Sequence, residues 1–442
     1  MPRGSMSLQL LVIMVPVLFG MMGFAIDLGR LYLIRGELNQ AAAAMALAAA
    51  AQLVGTSASL DNATAVAQQS LDNTNHLGNK YNFGSLVIGQ TTGNLTSTVN
   101  TPAFFATVAD ATGSSGSTGT QADGTTARHV QISLTADAPL LFWSMLSVGQ
   151  SRKTPIAGQA VAGISAPLCT ACGIEPFAIA ALNASDTVNF GFGDPTAGTL
   201  YTFAFECIPT PGSPGTTTIT APPALAGAVV EYVLINRYDT ANATLDETQQ
   251  LYKDGAQGLV ASLDPNPTGS PIPLACAGIN DASETMWAGA VPAACATIIA
   301  PSASVSEALC GLYSRIPDST APPAVCSTDV TDFAGLSAAY QPDTDLATGE
   351  VYTSYVGNMR RIITVPIVNA LATNANATMT VLGFRQFLME PGFLNPADTY
   401  GRFVVQYIGS PAPVQQGWFD DHFGLGCPIP VPSGPGKVVL HQ

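Results

Sequence analysis

The chain has 442 residues, of which only 10% are charged, where soluble domains average about a quarter. Its 30 acids outweigh 15 Lys and Arg, giving a net charge of -15 and a pI near 4.4. So acidic a chain lacks the basic footprint that nucleic acid requires, and 47% apolar residues exclude a disordered chain.

The imbalance is local. Residues 1–165 carry seven basic and seven acidic side chains, so all of the -15 lies in residues 166–442, as do all eight cysteines. Two composition shifts at one place predict a domain boundary near 163–167.

From Leu8 to Ile26 (LQLLVIMVPVLFGMMGFAI) there is no charge. At 1.5 Å per residue this run spans about 28 Å, close to the hydrocarbon thickness of a bilayer. Leu8, Pro16, Phe19, Phe24 and Ile26 are expected to face lipid, and Pro16 is tolerable there because a membrane helix accepts what would break a soluble one. A cleaved signal peptide is the alternative. The length of the apolar core and an n-region whose one basic side chain is Arg3 speak against it. Arg3 before the span and Arg30 and Arg35 after it give a weak orientation signal. An even number of cysteines fits an oxidising compartment, which places the bulk outside the cytoplasm and the N-terminus inside.

Arg30 to Leu53 is rich in helix formers and free of proline, with Gly55 as a stop. One continuous helix from Ser5 to Val54 would be about 75 Å long. The alanines at 41–44, 46 and 48–51 would let neighbouring elements approach closely. Asp27 and Arg30, three apart, share a helix face and are expected to pair at the membrane edge, with contact to a membrane partner as the alternative.

Arg3-Gly4-Ser5, the apolar run, the stretch Gly23 to Tyr32 (GFAIDLGRLY) and the alanine run after Glu37-Leu38-Asn39-Gln40 together resemble the N-terminus of TadG-like proteins of the Tad (Flp) pilus assembly system. The resemblance implies an inner-membrane location, pilus assembly or pilin proteins as partners, and the N-terminal helix as a route to a homo-oligomer. Further stretches similar to a TadG subfamily are Cys169–Ile179, Phe190–Cys207 and the C-terminal GPGKVVLHQ. Prepilin processing would cut after Gly4 and expects glutamate where Gln9 stands, so no such cleavage is expected.

After the helix, Asp110–Ala127 is a Gly/Ser/Thr-rich loop. His129–Thr135 alternates as a strand, Leu140–Leu146 is a short apolar helix, and Lys153–Ala162 is a second strand. Beyond 165, expected strands are Tyr201–Glu206, Val229–Asn236, Ile362–Val368, Met379–Leu388, Arg402–Ile408 and a final one at Lys437–Leu440 tied into the same domain. Thr248–Leu263 is a helical candidate. The expected fold is α+β. A long N-terminal transmembrane, pilin-like helix (1–54) leads into a pilin-like α+β unit with a small antiparallel sheet (55–165). An acidic, β-rich, disulfide-bearing domain (166–442) follows.

Cys169, Cys172, Cys207, Cys276, Cys295, Cys310, Cys326 and Cys427 are read as structural disulfides, with Cys276–Cys295 and Cys310–Cys326 as sequence-neighbour pairings. Cys169-x-x-Cys172 lacks the following histidine of a haem site and a second pair for zinc, which leaves a redox pair as the sharper alternative. The metal-binding adhesion module of many TadG-like proteins needs D-x-S-x-S. Asp281-Ala-Ser283-Glu-Thr285 departs at its last residue, so no metal is expected. With no nucleotide loop and no hydrolase or metalloprotease motif, no cofactor and no catalytic residue are expected. The main reading is a non-enzymatic envelope protein for assembly or adhesion. The alternatives are a membrane-tethered redox protein or enzyme using Cys169 and Cys172, and a surface ligand-binding module using Trp287 and Trp418.

Overall fold

The computed structural model describes residues 5–72, 91–92, 97–113, 121–140, 142, 153–165, 170–171, 175, 177–205, 222–235, 277–278, 285–290, 303–316, 323–327, 333, 341–373, 378–413 and 436–441. The chain is α+β and forms two units. The first comprises 1–53, 59–164 and 438–442, and the second 54–58 and 165–437.

The first unit is built on α1 (Ser5–Ala50), with Pro16 inside it. The helix ends in a tightened turn in which the Gln52 and Leu53 amides donate to the carbonyls of Ala49 and Ala50. Gly55 follows at φ +83°, a left-handed position that suits glycine. Beyond Gly20, one stripe of α1 is buried: Gly23, Asp27, Ile34, Leu38, then paired positions 41/42, 45/46 and 49/50. These recur every three to four residues, the period of one helix face.

That stripe lies on an antiparallel sheet. The short strands β1 (Thr91–Thr92), β2 (Ser97–Val99) and β3 (Ala103–Phe105) lead to β4 (His129–Pro139), which pairs along its length with β5 (Lys153–Ile164). Val130, Ile132, Leu134, Ala136 and Ala138 alternate toward α1 and are fully buried with its alanines. On β5 the close approach is made by Gly158, where a Cβ would lie 2.6 Å from Leu38 Cβ. The Gln159 amide donates to Asn39 Oδ1 at 3.2 Å, so the helix itself satisfies part of the strand edge. α2 (Ser59–Asp72), which the sequence reading missed, adds Ala63 and Ala67 to this core.

The last strand corrects the expected domain division. Val438–His441 does not join the second unit. It pairs antiparallel with β5, Val438 opposite Ile164 and His441 opposite Val161. β4 satisfies only one edge of β5, and the returning strand covers the end of the other.

The second unit is a β-barrel, a closure that the sequence reading did not foresee. β7 (Phe177–Ala180), β8 (Leu200–Ala204), β9 (Ala228–Ile235), β12 (Ile362–Val368), β13 (Thr378–Met389) and β14 (Phe403–Gly409) form a closed ring in the order β7, β9, β8, β14, β13, β12. The β7–β12 and β8–β9 pairs are parallel and the others antiparallel. β6 (Thr170–Ala171) and β10 (Ala277–Gly278) form a separate ribbon, while β11 (Thr285–Ala290) pairs with both β13 and β9. Alternate residues fill the barrel with aromatic rings. Phe203 meets Phe387 at 5.1 Å between centroids and Phe192 meets Tyr201 at 5.4 Å, both edge-on, the arrangement ring quadrupoles prefer. α3 (Val108–Thr112) belongs to the first unit, and α4 (Ala303–Tyr313) packs Val305, Leu309 and Leu312 into the barrel core. The candidate helix Thr248–Leu263 lies outside the described residues, as does most of Leu140–Leu146.

The returning strand is clasped by a histidine pair. The His129 and His441 rings lie 5.1 Å apart, edge to face, and His129 Nδ1 and His441 Nε2 are buried without a hydrogen-bond partner. Burial pushes His129 down to about 4, with the His441 and Arg128 charges adding to the effect. The unfolded chain takes up this proton near pH 6.5 and the folded chain only near 4, so stability is complete above 6.5 and is lost as pH falls toward 4. The melting temperature of the detergent-solubilised chain is therefore expected to drop between pH 7 and pH 4.5. His129→Phe should show a smaller drop when both are followed by circular dichroism.

Candidate functional site at the membrane edge

α1 changes character along its length. Leu10 to Phe19 are exposed on every face, Pro16 and Phe19 among them, and Phe24 and Ile26 are exposed too. An all-round apolar surface is out of place in water and suits lipid. The helix is long and apolar enough to cross a membrane. Leu8 lies within α1, but its side chain falls outside the described residues.

Among the described residues Phe142 meets the helix where its buried stripe begins. At Gly23 a Cβ would lie 2.0 Å from Phe142 Cγ, so only glycine admits the ring there. One turn later, both carboxylate oxygens of Asp27 accept from the Phe142 amide, at 3.2 and 3.1 Å. Gly23 and Asp27 are four residues apart and share one face. One residue is therefore held twice, by its ring and by its backbone, where the all-apolar surface of α1 gives way to its packed stripe. Asp27 is 7% exposed, and a buried carboxylate is tolerable when it receives such charge-assisted hydrogen bonds. Arg30 shares this face, as its spacing from Asp27 requires. Phe142 is the partner that the sequence reading missed. The available signal was Gly23 one turn before Asp27, next to an apolar run at 140–146 that follows a strand.

Residues 4–52 match the Tad family model, described as putative Flp pilus-assembly TadE/G-like. The N-terminal segment is TadE/G-like. The match runs to the end of α1 and contains Gly23, Asp27, Leu38 and Asn39, the residues through which the TadE/G-like helix meets Phe142 and β5. No curated protein and no solved structure matches the chain.

The other predicted sites are distributed differently. Cys310, in α4, is joined to Cys326, closing a loop of 16 residues, worth about 3 kcal/mol in the chain-entropy account. Cys169, Cys172, Cys207, Cys276, Cys295 and Cys427 lie outside the described residues, as do Asp281, Ser283 and Trp418. Trp287 lies in β11. Among the described residues no group of three or more His, Cys, Asp or Glu is placed to hold a metal.

Four carboxylates of the barrel unit, Glu175, Asp343, Asp345 and Glu390, are buried. Arg315 forms a two-pronged pair with Glu175 at 2.7 and 3.0 Å, tying the end of α4 to the start of β7. A second cluster collects Asp343, Asp345 and Glu390 around Arg361. The guanidinium lies 3.6 Å from Asp343 and 3.5 Å from Asp345, donates to the Met389 carbonyl at 2.9 Å, and sits 5.2 Å from the Tyr355 ring centroid. The Tyr355 hydroxyl donates to Asp343, and the Gly349 amide donates to Glu390 at 2.7 Å. Burial pushes Glu390 upward against the opposing pull of the Gly349 amide and Arg361, with Asp345 and Glu350 adding to the rise. Arg361→Met should destabilise the chain by about 3–5 kcal/mol in urea denaturation, because it strands two buried carboxylates. Glu390→Gln should leave stability at pH 7 unchanged or raised, because it removes a charge that burial disfavours and keeps the acceptor for Gly349.

Proposed function

We propose that the protein is a non-enzymatic cell-envelope component of a Tad/Flp-type pilus system. α1 anchors it in the inner membrane with the N-terminus in the cytoplasm, and the rest of the chain serves assembly or adhesion on the other side. The observation that carries this reading is the change along α1 from an apolar surface on all faces to a single stripe covered by its own sheet. The TadE/G-like match over that helix supports the pilus assignment. The Cys310–Cys326 bridge supports an oxidising compartment for the second unit. The buried carboxylates support a structural use of those acids, since each is bonded to an arginine, a tyrosine or a backbone amide rather than facing an open cleft. Partners are pilin or assembly proteins, or a second copy through the exposed face of α1.

Fractionation with alkaline carbonate extraction tests the anchor. The intact chain is expected in the membrane pellet, with the second unit open to protease added from the periplasmic side. Recovery of the intact chain in a soluble fraction would overturn the reading.

A further inference from the structure

We infer that a groove between α1 and the start of β5 binds the headgroup of an anionic phospholipid. The inference rests on the anchor reading above. The groove has a volume of about 510 Å³ and is open to the outside, within the range of small-molecule sites. Leu28, Leu31, Tyr32 and Arg35 form its helix wall, and Pro155 and Ile156 form its strand wall.

Depth along the helix selects the ligand. The uncharged span ends at Ile26, so Leu28 to Arg35 rise from about 3 to about 13 Å beyond it. The headgroup layer is roughly 5–7 Å thick on each side. Side chains on a helix lean toward its N-terminus, so Tyr32 and Arg35 lean back toward the membrane. Tyr32 is 79% exposed, the setting of an interfacial aromatic belt.

Charge and backbone chemistry narrow it further. Arg35 is exposed and has no ion pair among the described residues. Asp27, the nearest acid toward the membrane, already accepts from the Phe142 amide, and Glu37, two residues on, faces elsewhere. The groove thus offers one guanidinium and one phenol above an apolar floor. A phosphate can take two parallel hydrogen bonds from Arg35 and one from Tyr32, while its acyl chain runs down over Leu31 and Leu28. A β-strand is a poor occupant, because Pro155 removes a backbone donor from this edge. An apolar helix is also poor, because it would bury Arg35 without a counter-ion.

The test uses the full chain in a mild detergent, delipidated and then titrated with phosphatidylglycerol or phosphatidylcholine, with retained lipid counted by native mass spectrometry. Phosphatidylglycerol should be retained roughly tenfold more tightly than phosphatidylcholine. Arg35→Gln should bring the two to parity, and Ala157→Trp, a change at an exposed position on the groove rim, should lower retention of both. Equal retention of the two lipids, or an unchanged preference in Arg35→Gln, would overturn the proposal. So would a dimer of the unmodified chain that Ala157→Trp dissociates, because the groove would then be a protein interface. Inorganic phosphate competing as well as the lipid would also overturn it. If the chain partitions with membranes and shows no lipid preference, this inference fails and the anchor stands. If the chain is soluble, the anchor itself fails.

Discussion

α1 carries two kinds of surface along one helix, although Pro16 within it lacks the amide that would donate to the Val12 carbonyl. From Leu10 to Phe19 every face is apolar and exposed, and side-chain identity hardly matters beyond greasiness. From Gly23 onward one face must fit a solid partner, and size then decides. Gly23 admits the Phe142 ring, Leu38 closes on Gly158, and Ala41, Ala42, Ala46, Ala49 and Ala50 share one core with Val130, Ile132 and Leu134. A helix that meets a sheet this closely gains by dispersion what it forgoes in side-chain area. Asn39 shows the same economy in polar terms, since one amide oxygen satisfies a strand N–H that another strand would otherwise have to meet.

The barrel solves a different problem. A domain rich in proline and glycine has few long elements with which to build layers, and open sheet edges invite aggregation. Closing six short strands into a ring removes the edges and lets alternate residues fill the interior. The loops are then fastened by buried polar ties rather than by regular structure: Glu175 with Arg315, and Asp343 and Asp345 with Arg361. Each tie joins residues far apart in the chain or in separate loops. Breaking one member is costly because the other is left charged in a poor solvent.

What could be read from the sequence follows from the range of the interactions involved. α1 was legible because periodicity and composition are local properties. Ile362–Val368 was read to the residue, and Tyr201–Glu206 and Val229–Asn236 nearly so, because runs of β-branched and aromatic residues bounded by turn formers need no partner to be recognised. Barrel closure was not legible, since nothing in one strand reveals that its neighbours return to the first. The final strand was read as a strand but assigned to the wrong sheet, because its partner, β5, lies more than 270 residues away. α2 and α4 were missed because their alanines, serines and short apolar stretches give weak helical patterns and acquire their faces only from the core they join. Phe142 was read as part of an apolar run, and only the fold brings it to Gly23.

The charge imbalance takes on a more definite shape once burial is known. In the described part of residues 166–442 the buried charged side chains are Arg315, Arg360, Arg361 and Arg385 against Glu175, Asp343, Asp345 and Glu390. Among the described residues four buried cations therefore balance four buried acids, so this part of the interior is formally neutral. Half of the eight basic residues beyond 165 are thereby withdrawn, which leaves four cations against nineteen acids for the rest of the unit. Copies of such a unit repel one another at contact, though salt screens the repulsion beyond about 8 Å. Residues 1–165 carry no net charge. Close self-association is therefore least opposed through the neutral part of the chain that holds α1, and the acidic barrel is better suited to staying solvated, or to meeting a basic partner, than to packing against itself.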